Sequence, residues 1–444
     1  MYTVPKDSKL TVDLIEGAIE YNEEKRVQYN KLENYYLGEH DILTRKKPPT
    51  TKNNQLVINH AKYITDIHIG YLLGNPVEYQ ATEGDDISLI EEQFKKQNIA
   101  DIDHEIAKDI SIFGIQYELV YNVDNDIRSK DIDVRNAVCV YDDTVEHNKL
   151  FGIIYKKGTE KDKYEAVQVY DKTAEYDCEK GGVIIVGKSK PHKFGLVPLV
   201  EYKNNTEYQG DFVQVISLID AYNLLQSDRV NDKEQLVEAI LVGYGVKLEK
   251  KQLRDLRINR TIFGLDADSK LEYLTKSLDE EQIDVLRKVI QDDIHKISQT
   301  PNMSDENFVG NASGVALRYK LLAFEQSVSN TERYFERGLL ERFELYNNYL
   351  RSIGKMKDIP IYNIDVVFKR NLPQNDYETS SMINNLTDLV DDEALLGELS
   401  FIRNAKKTID KKAKEDKAKA KLEIKEFGTP LPTKEDKLEE EDKE

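Results

Sequence analysis

The sequence predicts an α+β fold in which helices and strands are segregated along the chain rather than alternating. Three observations carry this reading. Apolar residues recur at helical spacing up to Phe113, the period changes to two between Gln116 and Leu199, and helical spacing returns from Asp211 to Leu350 around a short mixed stretch. At 444 residues the chain can bury a sizeable core and form roughly two to four ordinary domains.

The first helix is expected from Thr11 to Leu37, where Leu14, Ile15, Ala18, Tyr21, Leu32 and Tyr36 recur among many charges and Gly38 ends the run. Two prolines mark a loop at Lys46–Thr51, and a second helix is expected over Leu56–Leu73. Ile87–Phe113 reads as one further helix with Ile90, Phe94, Ile99, Ile102, Ile106 and Ile110 as its apolar stripe. Tyr117–Tyr121, Val138–Tyr141, Phe151–Tyr155, Ala166–Tyr170 and Val183–Val186 alternate with turn residues and predict a mostly antiparallel β region. The 26 tyrosines and absence of tryptophan suit strands packed on one face and wet on the other. Asp211–Leu241 predicts a long helix with a break at Gly243-Tyr-Gly245, and short strands follow at Arg260–Gly264 and Leu271–Leu274. Asp279–Ser298 is helical up to Pro301. After a glycine-containing loop, a helix over Ser313–Leu350 would be about 57 Å long. Tyr362–Lys369 alternates like a strand, Asn384–Ala405 reads as helix, and Lys406–Glu426 as a charged helix without an apolar face. Residues 428–444 have the composition of a disordered tail.

Charged residues make up 33% of the chain and the mean hydropathy is −0.61, so a soluble protein is expected. No apolar run reaches the ~18 residues of a membrane helix, and the N-terminus lacks the apolar core of a signal peptide. The expectation is a cytosolic chain with no membrane partner. Cys139 and Cys178 are too few for a zinc site or a disulfide framework, and buried or half-buried thiols are expected. The formal charge of −19 is the reverse of the basic excess that drives DNA binding. Either the chain does not touch nucleic acid, or it lets a duplex slide past without gripping it. Composition alone favours the first.

Several motifs tempt and fail. Gly182-Val-Ile-Ile-Val-Gly187-Lys188-Ser189 satisfies the phosphate-loop expression. Such a loop must follow a strand and open a helix. Here its middle residues are themselves strand-like, and Lys190-Pro191 follows at once. The seven histidines, His40, His60, His68, His104, His147, His192 and His295, form no zinc-ligand spacing. Asp124-Asn-Asp126 begins like a calcium loop, but Arg135 stands where the bidentate glutamate belongs. Asp292, Asp293 and His295 read as a solvated helix face. Gly310–Gly314 is not a nucleophile elbow, because its serine comes one place late. The motifs predict neither an enzyme nor a cofactor or metal.

One ordering remains: helix, small mixed module, helix, loop, very long helix. On pattern alone an ordinary helical hairpin with an inserted strand pair explains it, although such long helices often pack on copies of themselves. Particular residues add to the pattern. Tyr35-Tyr-Leu-Gly-Glu-His-Asp-Ile-Leu43, Asn53-Asn-Gln-Leu-Val-Ile-Asn59 and Gly70-Tyr-Leu-Leu-Gly-Asn-Pro-Val77 come first. Asp211–Asp220, Thr300-Pro-Asn-Met-Ser-Asp305, Ala312–Leu322 and Phe368-Lys-Arg-Asn-Leu-Pro373 follow in order. With them the chain resembles the portal, or head-to-tail connector, proteins of siphovirus-type bacteriophages, over about residues 10 to 405.

The resemblance implies the portal-protein fold. Residues 1–210 would form a helical and β wing; 211–241 and 279–300 the paired stem helices; 242–278 a small mixed clip. Residues 301–312 would be the tunnel loop, 313–351 the long helix to the wing, 352–380 a wing return strand, and 381–427 the helical crown. Such subunits close into a ring, dodecameric in the family, around double-stranded DNA. The implied partners are the terminase large subunit, the major capsid and scaffolding proteins, and a head-completion adaptor. The implied location is the capsid vertex of the virion, after assembly in the host cytoplasm.

Two sets of candidate site residues follow. In the tunnel loop, Asn302, Ser304, Asn307 and Asn311 can meet phosphates by weak neutral contacts, while Asp305 and Glu306 repel. With few apolar anchors, this loop is expected to move easily. In the clip, Lys247, Lys250, Lys251, Arg254, Arg257 and Arg260 form a basic collar facing DNA or the motor, or else a solvated outer helix; the sequence leaves both open. The competing functions are a non-viral helical scaffold and a P-loop NTPase. Ring-shaped particles would exclude both.

Overall fold

The first helix begins where Thr11 can cap it and ends where glycine can turn left-handed. After β1 (Tyr2–Val4), helix α1 (Val12–Leu37) is capped by the Thr11 hydroxyl, which accepts from the Leu14 N–H at 3.3 Å, and Gly38 closes it at φ 88°. The computed structural model describes residues 1–49, 51–82, 84–124, 126–158, 163–180, 182–237, 240–244, 270–274, 280–303, 319 and 321–370, and short pieces between 383 and 417.

Helix α2 (His60–Leu72) starts at His60 rather than at the expected Leu56. The Asn59 side chain accepts from the Lys62 N–H, and the residues before it are extended because side chains of a later helix take their N–H groups. Then come β2 (Glu78–Ala81), α3 (Ser88–Lys96) and α4 (Ile99–Phe113). The single helix expected over Ile87–Phe113 is therefore two. Asn98 sits at φ 51°, which asparagine tolerates. The Gln97 side chain donates to the Ile127 carbonyl and accepts from the Ser129 N–H, each at 2.7 Å. These tertiary bonds outweigh the helical period.

The β region contains β3 (Ile115–Val123), β4 (Asp126–Ile132), β5 (Ala137–Asp142), β6 (Lys149–Lys157) and β7 (Tyr164–Tyr170). It continues with β8 (Ala174–Asp177), β9 (Glu179–Lys180), β10 (Val183–Ile184), β11 (Ser189–Pro191) and β12 (Leu199–Lys203). One sheet has the order β1-β5-β6-β7-β8-β11 and another β12-β3-β4. Every pairing is antiparallel except β1 with β5, and β1 was not foreseen.

The phosphate-loop match resolves as β-structure. Gly182 turns left-handed into the β9–β10 pair, and Ser189 enters β11, which pairs with β8. A Cβ at Gly187 would lie 1.8 Å from the Asp177 carbonyl oxygen, so that glycine serves a close backbone approach. No helix opens after Lys188, so the strand-to-helix turn a phosphate loop needs is missing. The Asp124 region is the turn joining β3 to β4, with Val123 paired to Asp126.

Helix α1 spans two cores. Its first half lays Leu14, Ile15, Ala18 and Ile19 on Val138, Ile153, Tyr155 and Val167 of the larger sheet. Its second half puts Tyr29, Leu32 and Tyr35 against α2, Phe113, Leu199 and Phe212. Cys139 and Cys178 are buried free thiols.

The last third holds α5 (Ile216–Val237), β13 (Ile240–Tyr244), β14 (Lys270–Leu274), α6 (Glu280–Ile297), α7 (Leu322–Ser352), β15 (Ile364–Val367) and α8 (Asp392–Gly397). Two expectations are corrected. Ile240 and Leu241 are strand, not helix, and Gly243 is no break but sits opposite Leu271 in the β13–β14 ladder. A β-branched and aromatic run with a partner strand prefers the ladder to a further helical turn. The strand expected at Arg260–Gly264 lies outside the described residues.

Helix α7 has 31 residues, about 46 Å at 1.5 Å per residue. The six residues expected ahead of Tyr319 lie outside the described ones. The helix buries Phe324, Val328, Phe335, Leu339, Phe343, Tyr346 and Leu350 in one stripe. A Cβ at Gly338 would meet the Tyr202 ring at 2.4 Å, so this glycine lets α7 lie close on β12. Beneath it the fully buried Arg342 pairs with Asp103 at 2.6 Å and Glu118 at 3.5 Å. β15 closes on β2, joining the chain after α7 to its first hundred residues.

The chain divides into two compact units: Met1–Gly310 with Tyr319–Asn371, and Asn311–Arg318 with Leu372–Glu444. In the second, α8 and short helical pieces near Lys411–Lys417 are the described parts.

Candidate functional site: a helix pair and the root of the loop that leaves it

α5 and α6 lie side by side and antiparallel. Arg229 reaches Glu280 at 3.9 Å and Asp284 at 4.0 Å, and Lys233 reaches Glu280 at 3.1 Å. These exposed pairs set geometry more than stability. At the far end the chain passes into β13 and returns through β14, with Tyr244 opposite Lys270. β13 and β14 thus bracket residues 245–269 in the sequence.

At the near end, apolar side chains carry the attachment: Phe212, Val215, Ile219 and Tyr222 ahead of and on α5, and Ile294 on α6, join the second core. Further out α6 turns apolar groups to the surface. Val285 is 62%, Leu286 49% and Val289 50% exposed. Three large apolar residues on adjoining turns thus form a small exposed apolar stripe on α6.

Where α6 ends, a buried polar network takes over. The Thr300 Oγ1 lies 3.2 Å from His68 Nε2, and the other ring nitrogen of His68 lies 3.3 Å from Asp211 Oδ2. Asp211 also accepts from Ser111 Oγ at 2.6 Å and from Asn204 Nδ2 at 2.7 Å, and the Thr331 hydroxyl of α7 donates to Asn204 Oδ1 at 2.7 Å. His295 Nδ1 lies 3.1 Å from the Thr300 carbonyl. Tyr63 Oη donates to the Pro301 carbonyl and accepts from the Met303 N–H, both at 2.9 Å. The start of the loop is thereby tied to α2, α4, the 204–211 turn and α7.

Burial disfavours the protonated form of two histidines here. Burial pushes the His60 imidazole down to about 4, with His295 and His40 adding repulsion. Burial likewise lowers His295, against the Thr300 carbonyl that favours its protonated form. His295 is half-buried against His60 and Tyr63, so it is not the solvated group expected from its acidic neighbours.

Of the sequence-derived candidates, Asn302 falls in this loop root, half-buried between Pro301 and Met303. Ser304, Asn307 and Asn311, and the basic residues Lys247, Lys250, Lys251, Arg254, Arg257 and Arg260, lie outside the described residues. Sequence reasoning missed Tyr63, His68, Ser111, Asn204, Asp211 and Thr331. Among the described residues no cluster of His, Cys, Asp and Glu could hold a metal ion, and no helix is long and apolar enough to cross a membrane.

The described residues form an antiparallel helix pair bearing a strand pair, rooted in a mixed α and β body. Residues 17–422 match the family described as phage portal protein, SPP1 Gp6-like, and the chain belongs to that family. It is 26% identical over 388 residues to a protein named portal protein from Bacillus phage SPP1, covering 80% of this chain and 76% of that one. It is 24% identical over 213 residues to the portal protein of Clostridium phage phiCD119, covering 46% of this chain and 45% of that one.

Proposed function

We propose that the chain is one subunit of a closed ring, of portal type and dodecameric, at the vertex of a phage capsid. Double-stranded DNA enters and leaves the head through its channel. The observation that carries the reading is the α5–α6 pair with its exposed Val285, Leu286 and Val289, in a chain of this family. A single copy leaves that stripe in water, and a ring covers it once per subunit.

In this reading α5 and α6 are the stem, β13 and β14 open the clip, and residues 1–210 with β15 form the wing. Residues 381–427 are the crown. The loop from Pro301 lines the channel, where Asn302, Ser304, Asn307 and Asn311 touch phosphates without gripping them. The clip, with its six basic residues, receives the terminase large subunit during packaging and later the head-completion adaptor. The wing meets the major capsid and scaffolding proteins as the procapsid nucleates in the host cytoplasm. No cofactor is needed, because the motor supplies the work. Negative-stain images of the purified protein test the reading: rings with a central hole are expected, and a stable monomer at working concentration and physiological salt refutes it.

A further inference from the structure

Residues 53–59 belong to no helix or strand, yet alternate N–H groups of their backbone are bonded to one helix. The N–H groups of Asn54, Leu56 and Ile58 donate to Asn231 Oδ1 at 2.7 Å, Ser227 Oγ at 2.9 Å and Asn223 Oδ1 at 2.8 Å. All three acceptors are buried and stand at four-residue steps along α5. Four helical residues advance about 6.0 Å, and two residues of extended chain about 6.6 Å. Alternate amides of an extended strap running against the helix therefore meet successive turns. A slip of one residue would turn all three N–H groups away and leave the acceptors buried without partners.

Each acceptor is itself aimed. The Asn223 amide nitrogen lies 2.8 Å from His40 Nδ1, Ser227 Oγ donates to the Asn223 carbonyl at 2.7 Å, and Asn231 Nδ2 donates to Asp228 Oδ1 at 3.2 Å. Asp228 also takes Arg45 at 2.9 Å and Lys47 at 2.8 Å. The Gln55 amide donates to the carbonyls of Ile42, Leu43 and Arg45, which folds the preceding turn onto the strap. Beyond Asn59 the strap runs without a break into α2, whose Tyr63 and His68 hold Thr300, Pro301 and Met303. One continuous segment thus grips α5 at one end and the exit of α6 at the other.

We infer that Asn223, Ser227 and Asn231 are positioning residues that lock the axial register of α5 to α2, and through α2 to the first residues of the loop after α6. A displacement of the helix pair is passed to that loop rather than absorbed in the 40–59 segment. Its consequence for DNA rests on the portal reading; the coupling itself does not.

Hydrogen–deuterium exchange on the full assembled chain tests it. Peptides covering 53–59 should exchange slowly, although they carry no regular secondary structure. Ser227→Ala should speed that exchange about tenfold at Leu56, and should speed exchange at Met303 as well, with β5 and β7 unchanged. Asn231→Ala, at the end of the ladder, is the second variant should Ser227→Ala fail to fold. Val167→Ala, which loosens the sheet core elsewhere, should not reproduce the pattern. Opening of 53–59 with Met303 unchanged overturns the coupling, and so does the same pattern in Val167→Ala. Neither readout involves DNA. Ser227→Ala rings that show the coupled exchange yet package and retain DNA like the native ring would remove the functional consequence alone.

Discussion

The apolar stripe of α6 gives the portal reading a quantitative test. Fully burying a valine or leucine contributes about 1.5–3 kcal/mol, and Val285, Leu286 and Val289 each leave about half or more of their surface in water. Covering all three on a neighbouring copy is worth about 3 kcal/mol per interface, or roughly a hundredfold in association. Val285→Asp with Val289→Asp changes one face, since the two stand four residues apart, and adds charge beside Glu281 and Asp284. Because the residues are exposed in the single chain, its own stability should move by no more than about 0.5 kcal/mol. Sedimentation velocity at a fixed concentration and 0.15 M salt, beside a thermal melt, separates the effects. The double variant should sediment as small species while melting like the native chain. An assembly as large and as stable as the native one would show that this face lies outside the interface.

Three further outcomes follow. His60, held near 4 in the folded chain, takes up a proton when unfolded at about 6.5, so its contribution is complete above pH 6.5 and falls as pH drops towards 4. The difference amounts to about 3 kcal/mol; His60→Asn should flatten the fall of the urea midpoint between pH 6.5 and 4, and an unaltered slope would refute the assignment. Arg342→Met strands the buried carboxylates of Asp103 and Glu118 and should cost about 3–5 kcal/mol by denaturant titration, much of it recovered when Asp103→Asn and Glu118→Gln are added. Asn307→Phe or Asn311→Phe should leave ring assembly intact and impair packaging or retention of DNA; full packaging would make the loop a tolerant surface segment.

What the sequence conveyed was whatever depends on neighbours along the chain. α1 was legible because Thr11, Gly38 and the apolar spacing between them are all local. β5, β6 and β7 were legible because β-branched and aromatic runs bounded by turn residues are local too. β1 and β2 were not, since three or four residues carry no pattern of their own and gain their structure from β5 and from β15 near the far end of the chain. The break at Asn98 depends on Gln97 finding the backbone of β4. The loop root stayed hidden for a related reason. Polar residues on amphipathic helices read as solvent-facing, and nothing in the spacing of His60 and His68 marks them as buried. The signal that could have exposed the strap was the small polar set Asn223, Ser227 and Asn231 at four-residue steps along one helix.

The distribution of charge constrains how the six basic residues proposed for the clip can act. The chain carries −19 overall, yet Lys247, Lys250, Lys251, Arg254, Arg257 and Arg260 all fall in the sequence between β13 and β14. Each phosphate neutralised contributes about −0.9 to the slope of log affinity against log salt. Six bases facing the duplex would give roughly −5 from one subunit, and a ring would multiply it until the DNA could not slide. A channel that conducts needs the acidic background to dominate where the duplex passes. The collar is therefore better suited to a protein partner at the clip than to the duplex itself. Salt titration of DNA binding by assembled rings decides between them. A shallow slope, smaller in magnitude than about 2, is expected, with terminase binding falling steeply in salt and in Lys250→Glu/Lys251→Glu. A steep DNA slope that flattens in the same variant would place the collar on the DNA.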